Sequence, residues 1–108
     1  MEQISIDDFK KVEIQVGEIV AAEKIEGSEK LLKLRVNFGV EERQVLSGIA
    51  AYFADANELV GKRCLFVTNL APRMMMGLES QAMIMATGGD ENPFVLFETT
   101  AVPGSQVR

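Results

Sequence analysis

The residues of this chain that are best suited to chemistry lie in the stretch from Asn69 to Met85. Apolar segments that are typical of buried strands flank a loop in which Pro72 and Gly77 interrupt regular structure on either side of Arg73, so the pattern predicts a strand, an irregular loop and a strand. A loop held between two core strands displays its polar groups rigidly. The alternative is a plain connection whose polar side chains face water, among them Glu79, Ser80 and Gln81.

Catalytic chemistry finds few candidate residues. The chain has no histidine, which removes the commonest general base and metal ligand, and its single cysteine cannot form a thiolate zinc site. Cys64 lies in an apolar run and is predicted to be an inert buried thiol. Neighbouring acids such as Asp7 and Asp8 are typical of solvated caps. We therefore predict a protein that is not an enzyme and that holds no metal or cofactor.

Length and composition indicate one domain over residues 1–108, with 47% hydrophobic and 25% charged residues. No apolar run approaches the roughly 18 residues that a membrane span needs, and the acidic N-terminus does not resemble a signal peptide. A cytoplasmic protein that does not enter membranes is therefore expected.

Charge is distributed unevenly along the chain. The net charge is −5, yet the segment from Lys30 to Arg73 contains seven basic and four acidic residues. A basic patch on an acidic protein can bind a polyanion locally while limiting unspecific adhesion.

Alternating apolar residues predict several short strands. The clearest alternation is Leu32, Leu34, Val36 and Phe38, whose opposite face carries Lys33 and Arg35. We expect Arg43, on the returning strand, to lie near these two cations, although charges also belong on any solvated face. Gly17 is expected to mark a bulge or bend, and short helical turns are expected after Ser5 and at residues 48–53. Five or more short strands with repeated glycines predict an all-β, closed or partly closed barrel.

Six segments in this order resemble a known family. They are FKKVEIQVG (residues 9–17), GSEKLLKL (27–34), RQVLSGI (43–49), LVGK (59–62), NLAPR (69–73) and GLESQAM (77–83). Together they resemble the tRNA-binding domain appended to the C-terminus of methionyl-tRNA synthetase. The same domain also occurs in free-standing structure-specific tRNA-binding proteins and in EMAP-II-like cytokine precursors.

The resemblance implies an oligonucleotide/oligosaccharide-binding (OB) fold, a five-stranded Greek-key barrel whose N- and C-terminal extensions build a homodimer. It implies non-catalytic binding of tRNA by shape, around the elbow and outside corner, and the catalytic part of methionyl-tRNA synthetase as a further partner. The cations of the implied surface would neutralise phosphates, and its polar groups would hydrogen-bond sugar or phosphate oxygens. The implied RNA-binding residues are Lys30, Lys33, Arg43, Asn69, Arg73, Ser80 and Met83.

The sequence is also compatible with two functions other than tRNA binding. Met74 stands where family members commonly have a basic residue, and with Met75 and Met76 it forms a flexible apolar run. A dimeric, chaperone-like module that binds exposed peptide segments would use such a run, because methionine surfaces accept varied apolar partners. The third reading is a purely structural dimerisation domain of a larger enzyme. The alternative to a binding role is that methionines of this run pack in the core.

Overall fold

Short strands make up most of the chain. The computed structural model describes residues 1–108, and no helix in it is long and apolar enough to span a membrane. Two 3₁₀ turns cover Ala50–Tyr52 and Ala56–Leu59. The remaining elements are α1 Ile6–Phe9, β1 Ile14–Lys24, β2 Leu32–Asn37, β3 Glu42–Ser47, β4 Arg63–Val67, β5 Arg73–Met75, β6 Leu78–Ser80, β7 Met83–Ile84, β8 Ala86–Thr87 and β9 Val95–Leu96.

The main sheet is a curled, antiparallel half-barrel with the strand order β3-β2-β1-β4-β7. Its centre is β1, which at 11 residues is long enough to pair with β2 through its C-terminal half and with β4 through its N-terminal half. The prediction of an all-β, OB-like fold is confirmed.

The remaining gap in the barrel lies between β3 and residues 79–81, and hydrogen bonds close it. The Gln81 backbone N–H donates to the Gln44 carbonyl oxygen at 2.9 Å, and the Gln44 N–H donates to the Gln81 side-chain carbonyl, also at 2.9 Å. One residue pair further along, the Leu46 N–H donates to the Ser80 hydroxyl at 3.0 Å. Side chains therefore replace part of an ordinary strand ladder at this seam.

The bend in β1 does not occur at Gly17, as the sequence suggested. The register with β2 shifts between Ile19 and Ala21, so the bulge lies at Val20. Gly17 is needed for a different reason, which is a close approach inside the barrel. A Cβ atom at this position would lie 2.5 Å from Val36 Cγ1 and 2.8 Å from Phe38 Cε1, so no larger residue fits.

The segment expected to be an irregular loop after residue 69 is instead a β-hairpin, formed by β5 and β6. Its two turn residues both have left-handed backbone angles, φ 53° at Met76 and φ 77° at Gly77. Such a turn matches the twist of paired strands, and its usual central residues are Asn-Gly or Asp-Gly. Met-Gly gave too weak a signal for the hairpin to be predicted.

Two other local predictions are confirmed, the helical turn after Ser5 and the one near residue 50. The Ser5 hydroxyl accepts a hydrogen bond from the Asp8 N–H at the start of α1, and residues 50–52 form a 3₁₀ turn. The C-terminal tail returns to β1, where the Val107 N–H donates to the Ile14 carbonyl oxygen at 2.8 Å. The strand expected after the loop is divided into β7 and β8.

We predict that Gly17→Ala destabilises the protein by about 1–3 kcal/mol, because the added methyl group overpacks the core between Val36, Phe38 and Phe66. Urea unfolding would measure the change as a lower midpoint. Gly48→Ala is the matched control, since a Cβ at Gly48 meets no atom within 4 Å. Equal midpoints for the two variants would contradict the close approach described here.

Candidate nucleic-acid interface

The outer surface of the β1–β2–β3 sheet carries a shallow depression, which we call the cationic groove. Its volume is about 290 Å³, and Lys33 and Arg35 project into it from β2. Each cation is held by a carboxylate of a neighbouring strand: Lys33 Nζ lies 2.7 Å from Glu23 Oε1, and Arg35 Nε lies 2.9 Å from Glu42 Oε1. The groove is therefore close to electrically neutral despite its two cations.

A second depression, the methionine cleft, lies between β3 and the β5–β6 hairpin. It has a volume of about 280 Å³, and its lining residues include Leu46, Leu70, Arg73, Met75, Ser80 and Met83. Arg73 is exposed and has no carboxylate within ion-pair distance, so its full charge faces the solvent. The cleft thus combines an apolar lining with one uncompensated cation.

Lys30 belongs to the same end of the barrel. It is exposed, forms no ion pair, and lies in the β1–β2 loop, whose position is fixed by a 3.0 Å hydrogen bond from the Ala50 N–H to the Lys30 carbonyl oxygen. The loop also lies beside the hairpin tip, because a Cβ at Gly27 would be 3.7 Å from Met76 Cε. Lys30 and Arg73 therefore lie on neighbouring elements, the β1–β2 loop and the β5–β6 hairpin.

Arg43 does not lie with Lys33 and Arg35, and the expectation that all three share one surface is wrong. Its strand partner is Val36, a core residue, so its side chain points to the other face of the sheet. There its guanidinium group donates to the Thr68 carbonyl oxygen at 2.7 Å, contacts Glu41 and lies 5.6 Å from the centre of the Phe38 ring. These contacts connect β3 to the end of β4.

Asn69 and Ser80 also bond to the protein itself. The Asn69 side-chain oxygen accepts from the Glu13 N–H at 2.9 Å, and its amide group donates to the Lys11 carbonyl oxygen. Ser80 is only 6% exposed, and its hydroxyl donates to the Ala82 carbonyl oxygen at 3.2 Å while it accepts from Leu46. Their roles as RNA contacts stay predictions, beside these structural roles.

Of the seven predicted site residues, four lie in or beside the methionine cleft, and a fifth, Lys33, lies in the cationic groove. Arg73, Ser80 and Met83 line the methionine cleft, Lys33 is the strand partner of the cleft residue Leu46, and Lys30 lies on the adjoining loop. Arg43 and Asn69 lie outside this group. The sequence analysis does not include the carboxylates Glu23 and Glu42 among the site residues. Their positions on the strands next to Lys33 and Arg35 are the feature from which these ion pairs could be predicted.

Cys64 has the properties of a structural thiol. It is fully buried, and burial together with the nearby Glu98 carboxylate raises the pKa of its thiol to about 11. Reactive cysteines require the opposite shift, so this thiol is not a nucleophile at neutral pH. No three His, Cys, Asp or Glu side chains converge in the structure to form a metal site.

A curled five-stranded half-barrel with an apolar cleft and uncompensated cations at its rim defines a small binding domain of OB-like fold. The family model described as "Putative tRNA binding domain" matches residues 14–106, and the chain belongs to this family. The family is one of binding domains, not of catalytic ones.

Relatives and solved structures agree with this assignment. The chain is 49% identical over 105 residues to a methionine–tRNA ligase of Methanoregula boonei and 41% identical over 105 residues to that of Thermotoga maritima. It covers 97% and 96% of its own length in these matches but only 16% of each ligase.

Among solved structures, a MetRS-related protein from Pyrococcus horikoshii superimposes with a TM-score of 0.92, 37% identity and full coverage of both chains. The chaperone CsaA of Bacillus anthracis, 18% identical, superimposes with a TM-score of 0.85 over 99% of this chain and 100% of its own; it shares the fold.

We predict that Ser80→Ala destabilises the barrel by about 1–3 kcal/mol, because the buried Leu46 N–H at the seam loses its acceptor. Chemical denaturation would measure this loss. Ser47→Ala on β3, the strand of Leu46, is the control, since the Ser47 hydroxyl forms no hydrogen bond with the rest of the chain. If both variants unfold at the wild-type midpoint, the seam does not depend on this hydroxyl.

Proposed function

We propose that this domain binds tRNA without catalysing a reaction, and that it recognises the folded shape around the elbow and outside corner. The observation that supports this most directly is the pair Lys30 and Arg73, two cations without carboxylate partners, of which Arg73 on β5 lines the methionine cleft and Lys30 lies in the neighbouring β1–β2 loop. Lysine and arginine side chains in this state contribute a full charge to phosphate binding. Membership of the tRNA-binding domain family gives the ligand class.

Recognition by shape suits the chemistry of these surfaces. Proteins that read single-stranded bases stack them on aromatic side chains, whereas folded RNA is contacted through phosphates, 2′-hydroxyls and overall geometry. The methionine cleft contains no aromatic residue, and its cationic rim fits a backbone contact better than base reading. Met75 and Met83 then supply apolar contact with sugar or exposed base edges beside the phosphates.

The partner proteins belong to the same proposal. The relatives reported above are methionine–tRNA ligases, and this chain spans about a sixth of such a ligase. We infer that the domain assists a methionyl-tRNA synthetase in the cytoplasm, either as part of that enzyme or beside it, by increasing the local concentration of tRNA.

We also propose that the domain pairs with a second copy of itself to form a homodimer. The N-terminal helix and the C-terminal tail enclose an apolar depression of about 350 Å³, which is lined in part by Ile6, Phe9, Val12 and Val107. These four side chains are 67%, 50%, 43% and 46% exposed. A second copy would cover them, and two weak tRNA sites joined in this way would bind more tightly than one.

Peptide binding is the alternative function. Met74 and Met76 are 63% and 57% exposed on the hairpin, which is the adaptable apolar surface that such binding uses. The dependence on salt separates the two functions, because phosphate contacts weaken steeply with salt and apolar contacts do not.

We predict that Lys30→Ala/Arg73→Ala weakens binding of bulk tRNA about tenfold at low salt and lowers the slope of log affinity against log salt by roughly two, because two phosphate contacts are lost. Fluorescence anisotropy would measure both quantities for wild type and variant.

The charge-matched control for that experiment is Lys11→Ala/Lys62→Ala, which removes two cations elsewhere on the surface. An equal loss of tRNA affinity in both double variants would show that the effect arises from net charge alone, and it would reject the proposed surface. Absence of tRNA binding by the wild type at low salt would reject the function for this domain, and apolar peptides would then be tested.

We predict that Phe9→Glu converts a dimer to a monomer in sedimentation velocity, because it places charge on the apolar terminal surface. Val40→Glu is the control, since Val40 is 97% exposed at the β2–β3 turn. A wild-type protein that sediments as a monomer at every concentration would refute the dimer.

A further inference from the structure

The cationic groove lies where OB-fold proteins generally bind oligonucleotides, which is the outer face of strands 2 and 3 beside the adjoining loops. Lys33 and Arg35 point outward there, and Gln44 of β3 faces them. The floor includes Ala21, whose small side chain allows a ligand to approach the backbone. In shape and in the number of its cations, the groove is suited to a nucleic-acid strand.

The electrostatics of the groove oppose that use. Both cations have carboxylates at 2.7 and 2.9 Å, whereas Lys30 and Arg73 at the neighbouring rim have none. We propose that Glu23 and Glu42 are specificity determinants that keep the cationic groove closed to unstructured RNA. This proposal rests on the proposed function, because it assumes that RNA is bound at the rim beside the groove.

The carboxylates act by neutralising the positive charge of the groove, not by forming strong ion pairs. The side chains of both pairs are between 36% and 62% exposed, so each pair is individually weak. A phosphate that displaces Glu23 from Lys33 nevertheless still meets the Glu23 charge a few ångströms away, and the pair attracts it only as a dipole. Specificity commonly depends on such a repulsive element as well as on attractive contacts.

The carboxylates discriminate between unstructured RNA and folded tRNA because the two differ in how their phosphates reach cations on a protein surface. A flexible single strand adapts its backbone to any accessible row of positive charge. Folded tRNA presents phosphates at fixed positions, so it can use the rim cations Lys30 and Arg73 without entering the groove. Closing the groove therefore removes affinity from unstructured RNA and leaves the affinity for tRNA almost unchanged.

The test is the double variant Glu23→Gln/Glu42→Gln, which keeps side-chain shape and removes both negative charges. Anisotropy titrations over a salt series would use bulk tRNA and poly-uridine of equal length. We expect poly-uridine to bind roughly three- to tenfold more tightly at low salt, with a salt slope steeper by about 1.4 for two freed cations. The affinity for tRNA should change less than about twofold.

Two further variants isolate the groove. Glu58→Gln/Glu91→Gln makes the same change in net charge outside the groove, at two exposed carboxylates that form no ion pair, and should leave poly-uridine binding close to that of the wild type. Adding Lys33→Ala and Arg35→Ala to the groove variant should abolish the gain, because the freed cations are then absent. Circular dichroism would establish that all variants are folded.

The outcomes distinguish this inference from the function on which it rests. A gain for poly-uridine that requires Lys33 and Arg35 supports the role of the carboxylates. No gain, an equal gain in the Glu58/Glu91 variant, or an equal gain for tRNA overturns that role. In each of these cases, tRNA binding that still depends on Lys30 and Arg73 leaves the proposed function standing. If no variant or wild type binds either RNA, both proposals fail.

Discussion

The hydrogen-bonded seam between β3 and residues 79–81 is the interaction on which the binding surfaces depend. Through it, Gln44 and Leu46 of β3 are fixed to Ser80 and Gln81. The cationic groove lies on one side of β3 and the methionine cleft on the other, so the seam sets the distance between them. Because much of it consists of side-chain hydrogen bonds, residue identity is more restricted here than along an ordinary strand ladder.

This constraint changes the meaning of the motif residues. The family resemblance implies that Arg43, Asn69 and Ser80 contact RNA, and all three make hydrogen bonds within the protein that connect distant parts of the chain. A residue that supports a binding loop and a residue that contacts the ligand are both expected within the same short motif. Lys30 and Arg73 are the predicted cations whose charge is free of carboxylates, and they separate the second role from the first.

The sequence predicted those features that depend on neighbouring residues. Alternation in β2 identified its buried face, and Ser5 identified the start of α1. Alternation in β3 also indicates the position of Arg43, which is two residues from the core residue Val45 and therefore on the core face of the strand, whatever its charge. The β5–β6 hairpin and the burial of Ser80 depend on an unusual Met-Gly turn and on contacts between residues over thirty positions apart, which no local pattern contains.

The barrel is built from strands of very different length, and this has a consequence for how it moves. Strands β1 to β4 contain 11, 6, 6 and 5 residues, whereas β5 to β9 have two or three residues each. Short ladders lose few hydrogen bonds when they open, so they separate at a lower free energy than the long strands. The methionine cleft therefore has a firm floor on β3, to which the seam fixes Ser80, and a pliable wall formed by β5 and the hairpin turn. A ligand can widen it by local opening while the rest of the barrel stays folded.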